Sequence, residues 1–260
     1  MFSRSMVFAV TCSALAFGCG ADRAADPAAD TQEIIENLLQ AGFQADDIMV
    51  ADGQVIVGRD AVVSLEASQE MLRPDDRASG EEQYRTSNLV SRTLTNICVN
   101  GAAFTGSFST ALNNAITAYN NQALTFHMTR TSGATTGCNA VITARVTTGT
   151  GGVSGFPSGG VPFNAINIGS GLTSFASNTI KHVIMHELGH TIGFRHSDFF
   201  NRTISCGTGG NEGDGGVGAI LIAGTPSGAT VGGSVMNSCF RTVESGNFTG
   251  SDVTALQALY

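Results

Sequence analysis

Three histidines and a glutamate within one eleven-residue stretch are the residues of this chain best suited to chemistry. The stretch runs His186-Glu187-Leu188-Gly189-His190-Thr191-Ile192-Gly193-Phe194-Arg195-His196. Residues four apart on a helix share one face, so His186 and His190 are expected to direct two imidazole nitrogens at one metal ion. Gly193 can end that helix in a conformation that other residues adopt only at a cost, which would bring His196 back as a third ligand.

Such a ligand set predicts a zinc site that can hydrolyse a peptide bond. Three histidines around Zn²⁺ leave one coordination position open for water, whose pKa the ion lowers toward about 7. Glu187 would lie one step round the helix, beside that position. Its carboxylate could take the proton of the water and pass it to the leaving amine, as general base and then general acid.

The spacing H-E-x-x-H-x-x-G-x-x-H, followed by a downstream methionine, resembles the signature of the metzincin metallopeptidases. The methionine here is Met236, in the segment Ser234-Val235-Met236-Asn237-Ser238. The resemblance implies that Met236 forms an apolar floor beneath the zinc and is not a ligand. Without the upstream motif, ordinary core packing would be the simpler interpretation of this residue.

Residues 31 to 260 are similar to one family in particular, the bacterial dual-action HEIGH metallopeptidases. Leu188 takes the place of the isoleucine in the family name. The similarity is carried by a helix-and-hairpin segment near the N-terminus, by the zinc motif, and by the segments Cys206-Gly207, Ala223-Gly224-Thr225-Pro226 and Ser234 to Phe240.

The resemblance implies an α+β fold of the metzincin type. A twisted mixed sheet would pack on an active-site helix and a backing helix, and an irregular C-terminal subdomain would end in a helix. Residues 163 to 168 would form the edge strand that pairs with an extended substrate.

Other polar residues near the motif have structural interpretations. His182 lies one turn before His186, but a fourth histidine would displace the catalytic water, so we expect a packed or solvated residue. His127 is likewise expected to be structural.

Ser238 stands where astacins and serralysins carry a tyrosine that contacts the zinc, which leaves open what stabilises the oxyanion besides the metal. Asp198 is expected to anchor a buried hydrogen-bond network, with a surface carboxylate as the alternative.

Two acidic segments suggest further roles. Asn211-Glu212-Gly213-Asp214 offers oxygen ligands for Ca²⁺, but its spacing matches no EF-hand loop, so a solvated glycine-rich loop is preferred. Val57-Gly58-Arg59-Asp60 loosely resembles the astacin pro-segment motif, in which an aspartate covers the zinc. Arg59 interrupts that motif, and the resemblance nevertheless implies Asp60 as a latency residue.

The charge distribution divides the chain. Residues 20 to 85 hold 15 acidic residues against 5 arginines, whereas residues 86 to 260 hold 6 acidic against 7 basic residues. We therefore expect an acidic pro-segment and linker (20–85) before a catalytic domain (86–260). Residues 71 to 86 resemble an exposed linker that a protease could cut.

The composition argues against a nucleic-acid partner. The net charge is -8, and the chain lacks the clustered basic residues that nucleic-acid binding requires.

The first 19 residues resemble an export signal. Arg4 precedes a short apolar run from Met6 to Phe17, and no other segment is apolar and long enough to cross a membrane. The run ends in Leu15-Ala16-Phe17-Gly18-Cys19, which resembles a bacterial lipobox apart from Phe17. We expect lipid attachment at Cys19, which would tie the protein to a membrane, with an ordinary cleaved signal peptide as the alternative.

Four further cysteines predict two disulfides, because an even number of cysteines in an exported chain is typical of paired residues. Of the three pairings we prefer Cys98–Cys138 with Cys206–Cys239, since each pair falls within one half of the catalytic region. A zinc site built from cysteines is the rival interpretation, but no Cys-x-x-Cys spacing supports it.

Periodicity places the remaining elements. It predicts helices over 31–39, 108–121, about 178–192 and 251–260, a hairpin over 48–57 around Asp52-Gly53, strands over 124–129, 140–147 and 163–168, and a loop over 149–160.

The sequence thus predicts an exported, monomeric zinc endopeptidase that acts on protein or peptide substrates. The alternative is a surface lipoprotein that uses the same scaffold to bind a peptide or glycan without cleaving it. Chance occurrence of the motif in a structural helix would predict no bound metal.

Overall fold

A computed structural model describes residues 27–73, 83–213, 218–226 and 228–260. The expected signal segment, Cys19, Asp214 and the middle of the predicted linker lie outside these residues. Over the described ranges, no helix combines the length and apolar character needed to span a membrane.

Six α-helices, ten strands and one short 3₁₀ helix make up the described part of the chain. In order they are α1 (Pro27–Gln40), β1 (Met49–Ala51), β2 (Gln54–Val57), β3 (Ala61–Val63), α2 (Leu65–Met71), β4 (Tyr84–Arg85), β5 (Asn96–Asn100), α3 (Gly106–Asn120), β6 (His127–Thr131), β7 (Ala140–Thr147), β8 (Gly152–Gly155), β9 (Ala165–Gly169), the 3₁₀ helix (Ser170–Ser174), α4 (Ser177–Thr191), α5 (Thr203–Cys206), β10 (Ile220–Leu221) and α6 (Gly250–Leu259).

The predicted α+β architecture is confirmed. Eight strands form one mixed sheet in the order β1-β2-β3-β8-β9-β7-β5-β6. Strands β6, β5, β7 and β9 run parallel, whereas β8 is antiparallel to β9. The active-site helix α4 contacts β8 and β9 and packs on the backing helix α3. Beyond α4 the chain is mostly irregular until α6.

The helices and the hairpin form largely where the sequence predicts them. On α3 the buried positions recur at helical spacing, from Phe108 through Leu112 and Ala115 to Tyr119. Helix α1 begins earlier than expected, at Pro27, a residue that suits the first turn because it has no amide hydrogen to lose. A capping box of Thr249 with Asp252 starts α6.

The prediction that residues 163 to 168 form an edge strand is wrong. Strand β9, which contains most of residues 163 to 168, lies inside the sheet between β7 and β8.

The segment expected to be a loop (149–160) instead contains β8. Two positions of this strand must be glycine because atoms of neighbouring residues lie where a side chain would begin. A Cβ on Gly152 would lie 2.2 Å from Glu187 Oε1, and one on Gly155 would lie 2.6 Å from the Val62 carbonyl oxygen.

Residues 27 to 73 form a separate small core against the edge of this sheet, and we call them the front module. Its apolar residues from α1, α2, β2 and β3 cluster around Leu38, Val57 and Met71, together with Phe156 from the body. Strand β3 pairs in parallel with β8, with Ala61 opposite Ser154 and Val62 opposite Gly155. The front module therefore extends the sheet of the main domain.

The prediction of an exposed linker over residues 71 to 86 is wrong at both ends. Met71 closes the core of the front module, and Gln83 and Arg85 are buried in the body. The Gln83 carbonyl accepts from the Ile222 amide at 2.7 Å, and β4 pairs with β10. The chain from Gln83 onward is thus built into the C-terminal subdomain, because its backbone groups find their partners there.

Both disulfides form with the expected pairing. Cys98–Cys138 ties β5 to the turn before β7, and Cys206–Cys239 ties α5 to the segment after Met236. Each closes a loop of similar length, 40 and 33 residues apart in sequence.

We expect the double variant Cys98→Ser/Cys138→Ser to lose about 2–4 kcal/mol of free energy of unfolding, because the unfolded chain regains the entropy of an open loop. Denaturant titration of oxidised wild type and variant measures the loss. Equal midpoints and slopes would contradict it.

Candidate active site

Helix α4 and the turn after it bring the three motif histidines together. His186 and His190 lie on one face of α4, and the chain leaves the helix at Gly193 with φ of 107°. A side chain at this position would also clash, since a Cβ would lie 2.5 Å from the Asn88 carbonyl oxygen. His196 returns so that its Nε2 lies 3.2 Å from His186 Nε2, while His190 Nε2 lies 3.0 Å from the same atom.

Each imidazole is fixed through its other nitrogen. Nδ1 of His186 bonds to the Val235 carbonyl at 2.8 Å, and Nδ1 of His190 bonds to the Phe194 carbonyl at 2.7 Å. Nδ1 of His196 bonds to the Glu212 carboxylate at 2.6 Å. All three acceptors require a proton on Nδ1, so the three Nε2 atoms carry free lone pairs toward a common point.

The donor set fits a zinc ion. Two nitrogens bound at about 2.0–2.1 Å in tetrahedral geometry lie about 3.3 Å apart, close to the separations observed here. The ligand atoms of the three histidines and of Asp60 all lie within 4.8 Å of one another. His186, His190 and His196 would therefore hold one zinc ion through nitrogen, and an Asp60 oxygen would be the fourth donor.

Asp60 reaches this cluster from the turn between β2 and β3 of the front module. Its Oδ2 lies 3.1 Å from His196 Nε2 and 3.4 Å from His186 Nε2, and its Oδ1 lies 3.5 Å from His190 Nε2. Burial opposes ionisation of Asp60, but in the absence of a metal the charge of a protonated His196 and hydrogen bonds from His186 and His190 hold the pKa of its carboxyl well below the usual range. The front module thus directs a negative charge at the metal position.

Gly58 and Arg59 allow this approach. Arg59 has φ of 80°, a left-handed conformation that few non-glycine residues adopt, and Gly58 has φ of 64°. A Cβ on Gly58 would lie 3.1 Å from the His196 ring. The arginine that interrupts the expected motif is exposed, and it lines the cavity beside the histidines.

Glu187 lies buried beside the cluster and is only 1% exposed. Its Oε2 has no hydrogen-bond partner among the described residues. Burial raises the pKa of Glu187 well above its ordinary value, and the nearby Asp60 carboxylate raises it further. An unpaired carboxylate oxygen with a raised pKa is suited to accept and return a proton.

Met236 packs against Gly189 of α4, and its role as a floor beneath the zinc stays a prediction. Its sulfur packs so close to Gly189 that a Cβ there would lie 2.5 Å from it. The turn that carries Met236 is held by Asp252, whose carboxylate accepts from Ser234 Oγ at 2.6 Å and from the Val235 amide at 3.0 Å. Through the Val235 carbonyl, the same turn fixes His186.

Asp198 anchors a buried network, as expected. Its Oδ1 accepts from the amide of Ser238 at 2.9 Å and from the hydroxyl of Ser238 at 2.8 Å. Its Oδ2 accepts from Ser205. Ser238 is therefore engaged in holding the turn after Met236.

The other two histidines lie outside the cluster, as predicted. His182 is buried on α4, and its pKa is lowered to about 4 by burial and by the neighbouring His186. His127 has an exposed side chain on β6 and contacts Asn120.

The prediction of a solvated loop over residues 211 to 214 is wrong at Glu212, which is 2% exposed. Its carboxylate is buried because Arg195 and His196 offset the cost, and they lower its pKa to about 2 although burial alone would raise it. Neither Glu212 nor Asp252 was identified from the sequence as part of the site. The signal for Asp252 was its position in the capping box of α6.

A cavity of about 240 Å³ opens beside the histidines. Its walls come from the front-module turn, from β8 and the residue before it, from α4, and from the segment after Met236; they include Asp60, Gly152, His186, Glu187, Ser238 and Phe240. A side chain of a bound peptide could enter here next to the metal position.

Comparison with known proteins identifies a family. Residues 55–260 match the dual-action HEIGH metallo-peptidases, so the match includes β3 and Asp60 as well as the zinc motif and Met236. No curated protein is significantly similar to the chain.

Two kinds of solved structure are similar at low identity. A structure of myroilysin shares 12% identity at a TM-score of 0.43, over 68% of this chain and 98% of that chain. High choriolytic enzyme 1 of the medaka fish Oryzias latipes, a hatching enzyme zinc-protease, shares 17% identity at a TM-score of 0.40, over 66% of this chain and 92% of that chain.

The geometry predicts that His186→Ala loses stoichiometric zinc, because one of three nitrogen ligands disappears. Metal content of the purified full chain, measured by inductively coupled plasma mass spectrometry, tests this. His127→Ala is the matched control and should retain wild-type zinc content. Zinc retained by the His186 variant would contradict the assigned site.

Proposed function

We propose that this chain, which belongs to the dual-action HEIGH metallopeptidase family, is an exported endopeptidase made as a latent precursor. As a zinc metallopeptidase it acts on peptide or protein substrates. The observation that carries the proposed peptide hydrolysis is the buried Glu187 carboxylate, with its unpaired oxygen, beside three converging imidazoles.

His186, His190 and His196 would hold the zinc ion, which would supply Lewis acidity toward water and the scissile carbonyl. Glu187 takes a proton from the attacking water at Oε2 and then gives it to the leaving amine. Gly152 lies against the other carboxylate oxygen and excludes any side chain there. The unpaired Glu187 oxygen favours catalysis over the alternative of a binding protein, since a carboxylate buried without a partner costs stability and gains nothing from binding alone.

An extended substrate would pair with β8, which is the outermost strand of the sheet once the front module is set aside. Main-chain hydrogen bonds along a strand edge capture a peptide irrespective of its sequence, and pockets then select side chains. This geometry admits a chain that continues in both directions past the metal position, which supports internal cleavage.

The front module would keep the enzyme latent in two ways. Asp60 occupies the position next to all three histidine Nε2 atoms, and β3 occupies the edge of β8 where the substrate would pair. Activation would require a cut between residues 73 and 83, because Gln83 is already bonded into the body. Residues 1–19 would be the signal, and the catalytic unit would begin near Gln83.

Export is supported by two disulfides, which persist in oxidising compartments. We propose lipidation of Cys19 as the form of attachment, and mass spectrometry of the mature N-terminus would distinguish it from a cleaved signal peptide. A monomer is proposed for the mature enzyme.

Glu187→Gln should lower the rate of hydrolysis of a denatured protein substrate by about 10²–10⁴-fold, because the proton shuttle is lost. The assay uses protein activated by limited proteolysis of the linker, and zinc content should remain that of the wild type. Activity equal to the wild type in a zinc-replete Glu187 variant would overturn the mechanism.

Asp60→Ala in the uncut full chain should raise basal proteolysis, because the metal position then lacks its fourth donor. Cleavage of a quenched fluorescent peptide library measures the change and also reports sequence preference. Asp46→Ala, an exposed carboxylate of the same module, is the control and should leave the precursor latent. A precursor that stays as inactive as the wild type after loss of Asp60 would show that Asp60 is not required for latency, and the pairing of β3 with β8 would then account for it alone.

A further inference from the structure

The third histidine is held differently from the other two. His186 and His190 donate from Nδ1 to backbone carbonyls, whereas His196 donates to the carboxylate of Glu212. A helix fixes the direction of the first two side chains. His196 follows the left-handed turn at Gly193, outside the helix, so its ring needs another restraint.

Glu212 is buried within a group of opposite charges. Its Oε2 lies 3.1 Å from Arg195 Nη2, and its Oε1 lies 3.7 Å from Arg202 Nη1. Arg202 in turn lies 2.8 Å from Asp47 of the front module. Two guanidinium groups thus accompany two carboxylates, and this balance allows a full negative charge to remain behind the imidazole.

Arg195 is itself rigidly placed. Its guanidinium carbon lies 4.2 Å from the centre of the Phe43 ring and 5.1 Å from that of Phe199. Its Nη1 donates to the Gly218 carbonyl at 2.7 Å. A fully buried arginine that contacts two aromatic rings and a backbone carbonyl can hold the Glu212 carboxylate in one orientation.

The backbone of Glu212 is fixed from two sides. Its amide donates to the Phe199 carbonyl at 2.8 Å, which ties the loop to the segment directly after His196. Its carbonyl accepts from the Gln44 amide at 3.1 Å, and Gly213 pairs with Phe43. The carboxylate is therefore set by both the body and the front module.

We propose that Glu212 is the positioning residue of the third zinc ligand. Its carboxylate fixes the tautomer and the ring orientation of His196 and makes Nε2 a stronger donor, which raises the affinity of the site for zinc. The inference rests on the proposed function for the identity of the three ligands. The carboxylate does not touch the substrate or the reacting atoms.

The test measures zinc affinity of the full chain by competition with a chromophoric chelator. Glu212→Gln keeps the size of the side chain and an acceptor oxygen but removes the charge, and Glu212→Ala removes both. We expect the alanine variant to bind zinc about 10- to 100-fold more weakly and the glutamine variant to fall between it and the wild type. Glu36→Gln, an exposed carboxylate on α1, is the control and should match the wild type.

A second readout separates positioning from loss of folding. The Co²⁺-substituted protein reports ligand geometry through its visible absorption, which should change in both Glu212 variants and not in the control. Circular dichroism of the zinc-free Glu212→Gln protein should match that of the zinc-free wild type. Zinc affinity and Co²⁺ spectrum unchanged in both variants would overturn the proposal.

These outcomes are independent of proteolysis. If the wild type failed to cleave any peptide while the Glu212 variants still bound zinc more weakly, the positioning role would stand and the endopeptidase assignment would fall. If the wild type were active and all variants bound zinc equally, the reverse would hold.

Discussion

The structure depends on holding three imidazole nitrogens about 3 Å apart with their lone pairs directed at one point. Neutral rings do not adopt that arrangement by themselves, so each needs a restraint on its far side. The restraints come from three parts of the chain: the turn after α4 for His190, the Met236 turn for His186, and the Glu212 loop for His196. The irregular C-terminal subdomain therefore has a defined task, since two of these restraints belong to it.

Burial of charge follows from the same constraint. Glu187, Glu212, Asp198 and Asp252 are all removed from water, and three of them are fully engaged by donors, as the cost of burying a carboxylate requires. Glu187 alone among these four retains an oxygen without a partner. The proposed proton-transfer role of Glu187 rests on this unpaired oxygen beside the three imidazoles.

The front module changes how the domain boundary is understood. Composition divides the chain near residue 85, but β3 extends the main sheet, Asp60 meets the histidines, and Asp47 contributes to the charge group around Glu212. The family match also begins inside this module, at residue 55. The segment has its own core, and it contacts the body through one short strand pair, several polar groups and a few apolar side chains such as Phe156.

The sequence by itself determined the three histidines that meet in space, the α4 helix with its glycine exit, the backing helix α3 and the front hairpin, because these depend on spacing along the chain and on local periodicity. It also favoured, among three possible pairings, the disulfides that form. Only the tertiary structure decided that β8 lies outside β9, that Gln83 and Arg85 are buried, and that Glu212 supports His196. Glycine-rich β8 carries no alternating pattern, and its glycines are needed because Glu187 and Val62 approach its backbone closely. Likewise, the sequence around Glu212 is typical of a solvated glycine-rich loop. Only in the folded chain do Arg195, His196 and Arg202 lie beside its carboxylate and compensate its charge.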